Sequence, residues 1–397
     1  MDIARQLRTG ASRGVGFLRL DRHEIAGSLG DLGTFIPLFV GMVVVNGLSA
    51  ASVLVFAGLF NIITGIVFGI PMPVQPMKAI ATVALTEALA PGEIYAAGIL
   101  VSVVIFLIGI TGLVQWLNRW IPTVVVKGLQ VSLGIKLMIM GWGMVKDTHR
   151  WWGTDSIGIG ILAGVIGLLL MYNRKVPSAP VLFGLGLVAT AVASPALWGG
   201  LRLSFDLPSL TIPTVEEFAT GAVKGAIPQI PLTLLNSVIA VCALSWALFP
   251  DRGADTKRVA VSVGMMNLVG CWFGAMPMCH GSGGLAGQHF FGARTGNGVV
   301  FLGLIKLALG LFAGAAALTV LLAYPTSVLG VLLMFAAIEL ALVALDVRNR
   351  RDGLIMLMTA GAILGLESTL LGFLVGLVVS YLTVYAFRRA GLEEGAS

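Results

Sequence analysis

Charge is scarce in this chain. Only 11% of its 397 residues are Asp, Glu, Lys or Arg, against 57% hydrophobic, and the mean hydropathy is +0.96. That balance excludes an ordinary soluble globular protein and leaves an integral membrane protein. The 46 residues 32–77 contain no Asp, Glu, Lys, Arg or His; one helical span needs about 20, so this run must cross the bilayer twice. Cysteine is also sparse: Cys242, Cys271 and Cys279 form an odd set without a Cys-x-x-Cys pair, which argues against a disulfide framework or a metal knuckle. There is no Gly-x-x-x-x-Gly-Lys-Ser/Thr loop, so ATP drive within the chain is not expected. Neither a nucleophile–base constellation nor metal-ligand spacing is visible, so neither an enzyme nor a cofactor or metal is expected. Residues 1–23 are basic and polar and lack the apolar core and cleavage site of a signal peptide, which reads as a cytoplasmic tail.

What is present divides at its turn signals into about fourteen segments long enough to cross or half-cross a bilayer. They are 24–45, 50–69, a short helix 76–89, a fourth reaching 116, 122 to before 146, 157–172, 180–198, 228–249, a ninth entering a second break, a short helix 282–291, 299–321, 327–345, 353–366 and 369–387. The longest polar insertion, 199–224, with Arg202, Asp206, Glu216 and Glu217, leaves seven segments on each side. Threaded with the N-terminus inside, 17 of the 25 basic residues fall on the cytoplasmic side, among them Arg22, Arg119, Arg174, Lys175, Arg252, Arg294 and Arg388. Four lie outside (Lys146, Arg150, Arg202, Lys224), and Lys78, Lys127, Lys136 and Lys306 lie within or at the edges of spans. The one-sided excess follows the positive-inside rule. The net charge of +6 therefore needs no nucleic-acid partner, and both termini are expected in the cytoplasm, the chain lying in the plasma membrane (the inner membrane if bacterial) with the lipid bilayer as its surroundings.

Two stretches are not ordinary helix. Gly69-Ile-Pro-Met-Pro-Val-Gln-Pro-Met-Lys78 and residues 274–292, with Met-Pro-Met-Cys-His280-Gly-Ser-Gly-Gly284, are broken by proline and glycine. Such backbone survives at membrane depth only where it is buried in protein or lines a polar cavity. The two are related, since Gly58-Leu-Phe-Asn61-Ile-Ile-Thr-Gly65 answers to Gly264-Met-Met-Asn267-Leu-Val-Gly270, and each copy then enters Pro71-Met-Pro73 or Met276-Pro-Met278. Seven segments per copy place them in opposite orientations, which makes an inverted repeat.

Each break resumes as a helix whose first turn lies near mid-membrane, with about four backbone N–H groups lacking partners. Pro76 is the expected first helical residue of one and Ser282 the expected cap of the other. Two such N-termini facing each other supply converging positive dipole ends, an oxyanion site in which Gly281, Gly283 and Gly284 let the ligand reach the backbone. Lys78, an intramembrane lysine, is a substrate-site candidate, the alternatives being snorkelling or pairing with Asp31. Asp31 could pair with Lys78, carry a coupling proton or cap a kink; Thr34 and Gln75 are neutral donors suited to an oxyanion. His280 could contact substrate, titrate for coupling, or be a satisfied buried histidine, with metal binding least favoured. Gln229, Thr233 and Asn236 share one helix face, turned either to the cavity or to helix–helix hydrogen bonding. Gln288 and His289 read as structural or gating residues, and Glu339 and Glu367, in apolar late spans, as proton or voltage sensors or interfacial groups.

At these motifs the chain resembles the molybdate transporter family, a branch related to the sulfate permease (SulP) superfamily. The matching stretches are Gly30-Asp-Leu-Gly-Thr-Phe-Ile-Pro37, Pro71 to Lys78, Lys224-Gly-Ala-Ile-Pro-Gln-Ile-Pro-Leu-Thr-Leu-Leu-Asn-Ser-Val-Ile-Ala-Val241, and 264–292 with its Cys-Trp-Phe-Gly-Ala-Met-Pro core. They cover most of both halves, least clearly in the fifth to seventh segments and the C-terminal third. The resemblance implies an all-α integral membrane fold of about 14 transmembrane segments in a 7+7 inverted repeat with two half-helices meeting at mid-membrane, as in sulfate permeases and nucleobase transporters. It further implies a core domain (24–117 and 225–322) moving against a gate domain (118–224 and 323–397) in an elevator-type cycle. The third and tenth helices would aim at the substrate, molybdate, a tetrahedral dianion imported by secondary transport. Proton coupling is expected, because accumulating anions against an inside-negative potential costs about 2.3 kcal/mol per charge per 100 mV. Sulfate or another oxyanion is the alternative substrate, and a passive anion channel the alternative of another class. A homodimer through the gate domain is left open, and the C-terminal regulatory domain usual in sulfate permeases is expected to be absent.

Overall fold

The computed structural model describes residues 21–389 except 115, 117–119, 172, 174 and 175 and the side chain of 388. Most of the expected cytoplasmic tail, and the topology markers Arg119, Arg174 and Lys175, lie outside the described residues. In the first half, α1 (Arg22–Ser28) starts under Asp21, whose carboxylate accepts from the N–H of His23 and Glu24. A 3-10 turn (Leu29–Asp31) joins it to α2 (Leu32–Asn46) in one segment. After α3 (Ala50–Phe68) the chain turns at Gly69, whose φ of 66° is the left-handed conformation that glycine adopts without strain. Then come β1 (Gln75–Pro76), the half-helix α4 (Lys78–Glu87), α5 (Pro91–Thr111), α6 (Thr123–Lys146), α7 (Ile157–Leu170), α8 (Ser178–Ala193) and the short α9 (Pro195–Gly200).

The second half opens with a single span of 34 residues: α10 (Val215–Thr220), a π-helical stretch (Gly221–Ala226), α11 (Ile227–Leu232), a second π stretch (Thr233–Ala240) and α12 (Val241–Leu248). The expected start at 228 is thirteen residues late, and the expected domain boundary at 224/225 falls inside this helix. Glu216 and Glu217 belong to its first turn, where Thr214 and Glu217 form a capping box and the helix dipole favours acidic residues. Pro228 and Pro231 lack the N–H that regular α-helix needs, and the π stretches flank them. Then follow α13 (Thr256–Gly270), β2 (Met278–Cys279), the half-helix α14 (Ser282–Phe290), α15 (Asn297–Leu322), α16 (Thr326–Ala341), α17 (Arg350–Gly365) and α18 (Thr369–Arg389).

Among the described residues, eight helices are long and apolar enough to cross a bilayer. With the half-helices α4 and α14 and the shorter α7, α8, α13 and α17 they make fourteen segments, seven in each half. The inverted repeat is visible in the packing. In lipid, helix association depends on close backbone approach at small residues. Accordingly α3 meets α15 where Gly65 touches Gly296 and Gly58 touches Gly303, while the equivalent pair α13 and α5 meets at Gly264 against Phe106. The fifth and twelfth segments, α6 and α16, cross at Gly141 and Gly330, each lying against the carbonyl of the other. The repeat extends to Glu24 and Glu217, each the third residue of its span. Glu24 Oε1 accepts from the N–H groups of Arg294 (2.9 Å) and Thr295 (3.0 Å) ahead of α15, and Glu217 packs on Gly92 at the start of α5.

The two breaks meet as an antiparallel ladder, with Gln75 opposite Cys279 and Pro76 opposite Met278. Pro76 is therefore not the first helical residue. Prolines 71, 73 and 76 hold the residues before them extended, the chain stays extended through Met77, whose N–H donates to the Pro277 carbonyl at 2.8 Å, and α4 begins only at Lys78. Asn267 fixes the other strand, accepting from the Met278 N–H at 2.6 Å and donating to its carbonyl at 2.7 Å.

Candidate functional site

Where the half-helices meet, a cavity of about 200 Å³ lies between two walls. One wall is built by Gly33, Thr34 and Pro37 of α2, Lys78 of α4, and Gly283, Gly284 and Gly287 of α14; the other by Ala179 and Leu182 of α8 and Leu332, Phe335 and Glu339 of α16. The cavity reaches toward Met171, Pro177 and Ser178 at the α7–α8 connection and Phe291 beyond α14.

The N-terminus of α14 has Gly281 as its cap residue, without a side-chain cap. Ser282 is not the cap, because its Oγ donates instead to Asn236 Oδ1 at 2.7 Å, tying α14 to the second π stretch. Among the described residues the backbone N–H groups of Ser282 and Gly283 have no partner, while those of Gly284 and Leu285 bond to the Gly281 carbonyl. Glycine is required at 281 and 284 on steric grounds. A Cβ on Gly281 would overlap Gln75 Oε1, and one on Gly284 would lie 2.6 Å from Asp31 Oδ1 and 2.8 Å from Pro73 Cβ.

The α4 N-terminus differs. Gln229 Oε1 accepts from the N–H of Ala79 at 2.8 Å and of Ile80 at 3.2 Å, and Gln229 Nε2 donates to Thr233 Oγ1 at 2.9 Å. Gln229 and Thr233 are thus buried between helices and do not line the cavity; of the two orientations open to their face, it is the interhelical one that is found. What α4 offers to the cavity is Lys78. Its ammonium has no hydrogen bond or ion pair within 4.0 Å among the described residues, so the pairing with Asp31 does not form.

Asp31 is fully buried where the 3-10 turn meets α2, and its Oδ1 accepts from Gln75 Nε2 at 2.5 Å. Gln75 consequently serves the scaffold behind the cavity. His280 is also fully buried: Nδ1 lies 2.8 Å from the Pro73 carbonyl and Nε2 2.9 Å from Ser262 Oγ, with Phe68 edge-on to the ring. Both ring nitrogens are occupied and neither faces the cavity, the satisfied buried histidine among the readings the sequence allowed. Of the sequence-expected set, Thr34, Lys78, Gly283 and Gly284 come together on the cavity. Gln75, Pro76, Gln229, Thr233, His280, Gly281 and Ser282 surround the half-helix starts from behind.

One buried charge escaped the motif reading. Lys306, 3% exposed on α15, donates to Asn61 Oδ1 at 3.1 Å and stands 3.6 Å from the centroid of Phe35, and its charge interacts with Asp31. The available signal was a lysine ten residues into a long apolar span. Its charge and that of Lys78 both act on Asp31, Lys306 the more strongly, and neither forms an ion pair with it within 4.0 Å among the described residues.

The same architecture occurs in solved structures. The transmembrane domain of the cyanobacterial bicarbonate transporter BicA matches with a TM-score of 0.65 at 16% identity, over 91% of this chain and 98% of that one. The murine anion transporter Slc26a9, in its inward-facing state, matches with a TM-score of 0.68 at 14% identity, over 96% of this chain and 70% of that one. The class is thus a membrane protein with the SLC26/SulP inverted-repeat fold. The family profile described as "Molybdate transporter of MFS superfamily" matches residues 23–137 and 221–340. Molybdate transporter 2 of Arabidopsis thaliana is 39% identical, over 90% of this chain and 86% of its own. Molybdate transporter 1 of Chlamydomonas reinhardtii is 34% identical, over 91% of each. The chain belongs to the molybdate transporter family. Its seven-plus-seven inverted halves are not the six-plus-six arrangement of the MFS fold named in the family description.

Proposed function

We propose that the protein is a secondary active transporter that imports molybdate with protons, by an elevator-type movement of the α1–α5 and α10–α15 body against α6–α9 and α16–α18. The observation that carries this reading is the pairing, on one cavity wall, of a lysine without a protein partner and a half-helix start with open N–H groups. A tetrahedral dianion placed there receives charge from Lys78 and hydrogen bonds from the Gly283 N–H and Thr34 Oγ1, the donor set expected of an oxyanion site. The curated relatives, named as molybdate transporters, support molybdate as the particular oxyanion. With both termini in the cytoplasm of a plasma-membrane protein, the cavity's reach toward the α7–α8 connection corresponds to an inward-facing state.

Uptake of labelled molybdate into proteoliposomes tests the reading. Accumulation above the external concentration, driven by an imposed proton gradient and lost when the gradient is collapsed, is expected. Purely downhill flux would identify a channel, and displacement of molybdate by equimolar sulfate would reassign the substrate.

A further inference from the structure

The described lining of the cavity holds two charges, and they come from opposite walls. Of its described lining residues only Lys78, on α4, and Glu339, on α16, are ionisable. They interact electrostatically across the cavity without forming an ion pair within 4.0 Å. The helices packed on α16 supply little else that faces Glu339: α2, α7 and α8 carry no charged residue. On α6, Lys127 lies 3.8 Å from Asp346 and Lys136 3.4 Å from Glu87, and Lys146 ends the helix. Asp31 is sealed behind Gly284 and bonded to Gln75, whereas Glu339 is exposed to the cavity.

We infer that Glu339 is the proton-binding group of the transport cycle, taking up one proton from water as the oxyanion binds. This rests on the oxyanion reading above. With Lys78 charged and Glu339 ionised, the described lining of the empty cavity carries no net charge. A dianion brings it to −2, and a proton on Glu339 returns it to −1. Like charges held close together in one site favour protonation of one of them, so anion and proton each raise the other's affinity by the same factor. A proton site on the wall opposite the anion's donors also makes the coupling depend on both walls being assembled, which a carboxylate buried behind α14 does not.

The test is a titration of the purified protein with molybdate in weakly buffered solution, followed with a pH indicator, together with the dissociation constant from pH 5.5 to 8. Proton uptake approaching one per bound anion is expected, with affinity strengthening up to about tenfold per unit of acidification. Glu339→Gln, or Glu339→Ala if the first does not fold, should bind with a flattened pH profile and no proton uptake, and Glu339→Asp should retain both. Unchanged proton uptake in the neutral variants overturns the assignment, as does a wild-type protein that binds molybdate with neither proton uptake nor pH dependence. If the wild type binds sulfate and not molybdate, the substrate reading fails alone, and the same measurements made with sulfate decide the proton site.

Discussion

Replacing Lys78 with methionine removes the one cation among the described residues of the cavity wall while keeping most of its apolar stem. A unit charge pair at 4 Å is worth about 1 kcal/mol in water and about 4 kcal/mol at the effective dielectric of a partly buried site. Part of that is offset, because the ammonium is already partly desolvated and polarised by Glu339 in the empty protein. The net contribution is closer to that of a hydrogen bond to a charged group, about 1.5–3 kcal/mol, which corresponds to molybdate binding weakened roughly 10- to 150-fold. Isothermal titration at pH 7 measures this directly, and a tetrahedral monoanion provides the internal control, since halving the ligand's charge should shrink the loss. Unchanged molybdate affinity in a folded Lys78→Met protein would refute the role of the ammonium. An equal loss for dianion and monoanion would show that the effect is not Coulombic.

Two further outcomes follow from the geometry. Gly284→Ala drives a methyl group into Asp31, Gln75 and Pro73 and should destabilise the fold by about 1–3 kcal/mol, whereas Gly283→Ala, with nothing within 4 Å of its added Cβ, should leave thermal stability unchanged and weaken anion binding only. A melting temperature unaffected by Gly284→Ala would contradict the packing described. In the loop between α6 and α7, burial tends to raise the pKa of Asp155, but hydrogen bonds from Ser327 and Thr326 at the start of α16 outweigh it and hold the carboxyl below its usual range. Its stabilising contribution is therefore present above the unfolded carboxylate pKa near 3.9 and is lost as pH falls through the lower folded value. Asp155→Asn should cost about 1 kcal/mol at pH 7, the scale of a helix cap, with the difference vanishing in strong acid; equal melting temperatures at pH 7 would remove the cap from the account.

The fourteen segments and their inverted pairing were legible because membrane solvation acts locally. A span must be apolar over its own length, and a broken helix must carry its prolines and glycines in sequence. What sequence could not supply was the partner of each polar group. Ser282 has the chemistry of a cap, but Asn236, 46 residues away, takes its hydroxyl. Gln229 was legible as a polar residue on a helix face, whereas its bond to the α4 N–H groups, 150 residues distant in sequence, depends on the second half folding back onto the first. Glu217 reads as a loop acid until its capping box with Thr214 is in place. Lys306 stands in a span that is long and apolar throughout, where nothing local marks its contact with Asn61, 245 residues away in sequence.

The tertiary partners also change what the symmetry means. An inverted repeat would by itself present two equivalent helix N-termini, yet here the two starts differ in what they leave open. The α4 start has its Ala79 and Ile80 N–H groups covered by Gln229 and contributes a side-chain charge, while the α14 start keeps its N–H groups open and contributes no charge. Away from the α7–α8 side of the cavity, Glu87 at the end of α4 pairs with Lys136 of α6 and with Lys224 of the first π stretch, each at 3.4 Å. In the proposed cycle the pair with Lys136 is a contact between the two moving bodies and must break on each turn, whereas the pair with Lys224 lies within one body. Glu87 is 24% exposed and Lys136 15%, a setting in which water competes and a pair is worth about 0–1 kcal/mol. A bond of that size can bias the resting state without trapping it, whereas the buried Asp31–Gln75 and Lys306–Asn61 contacts lie wholly within one body and have no need to open.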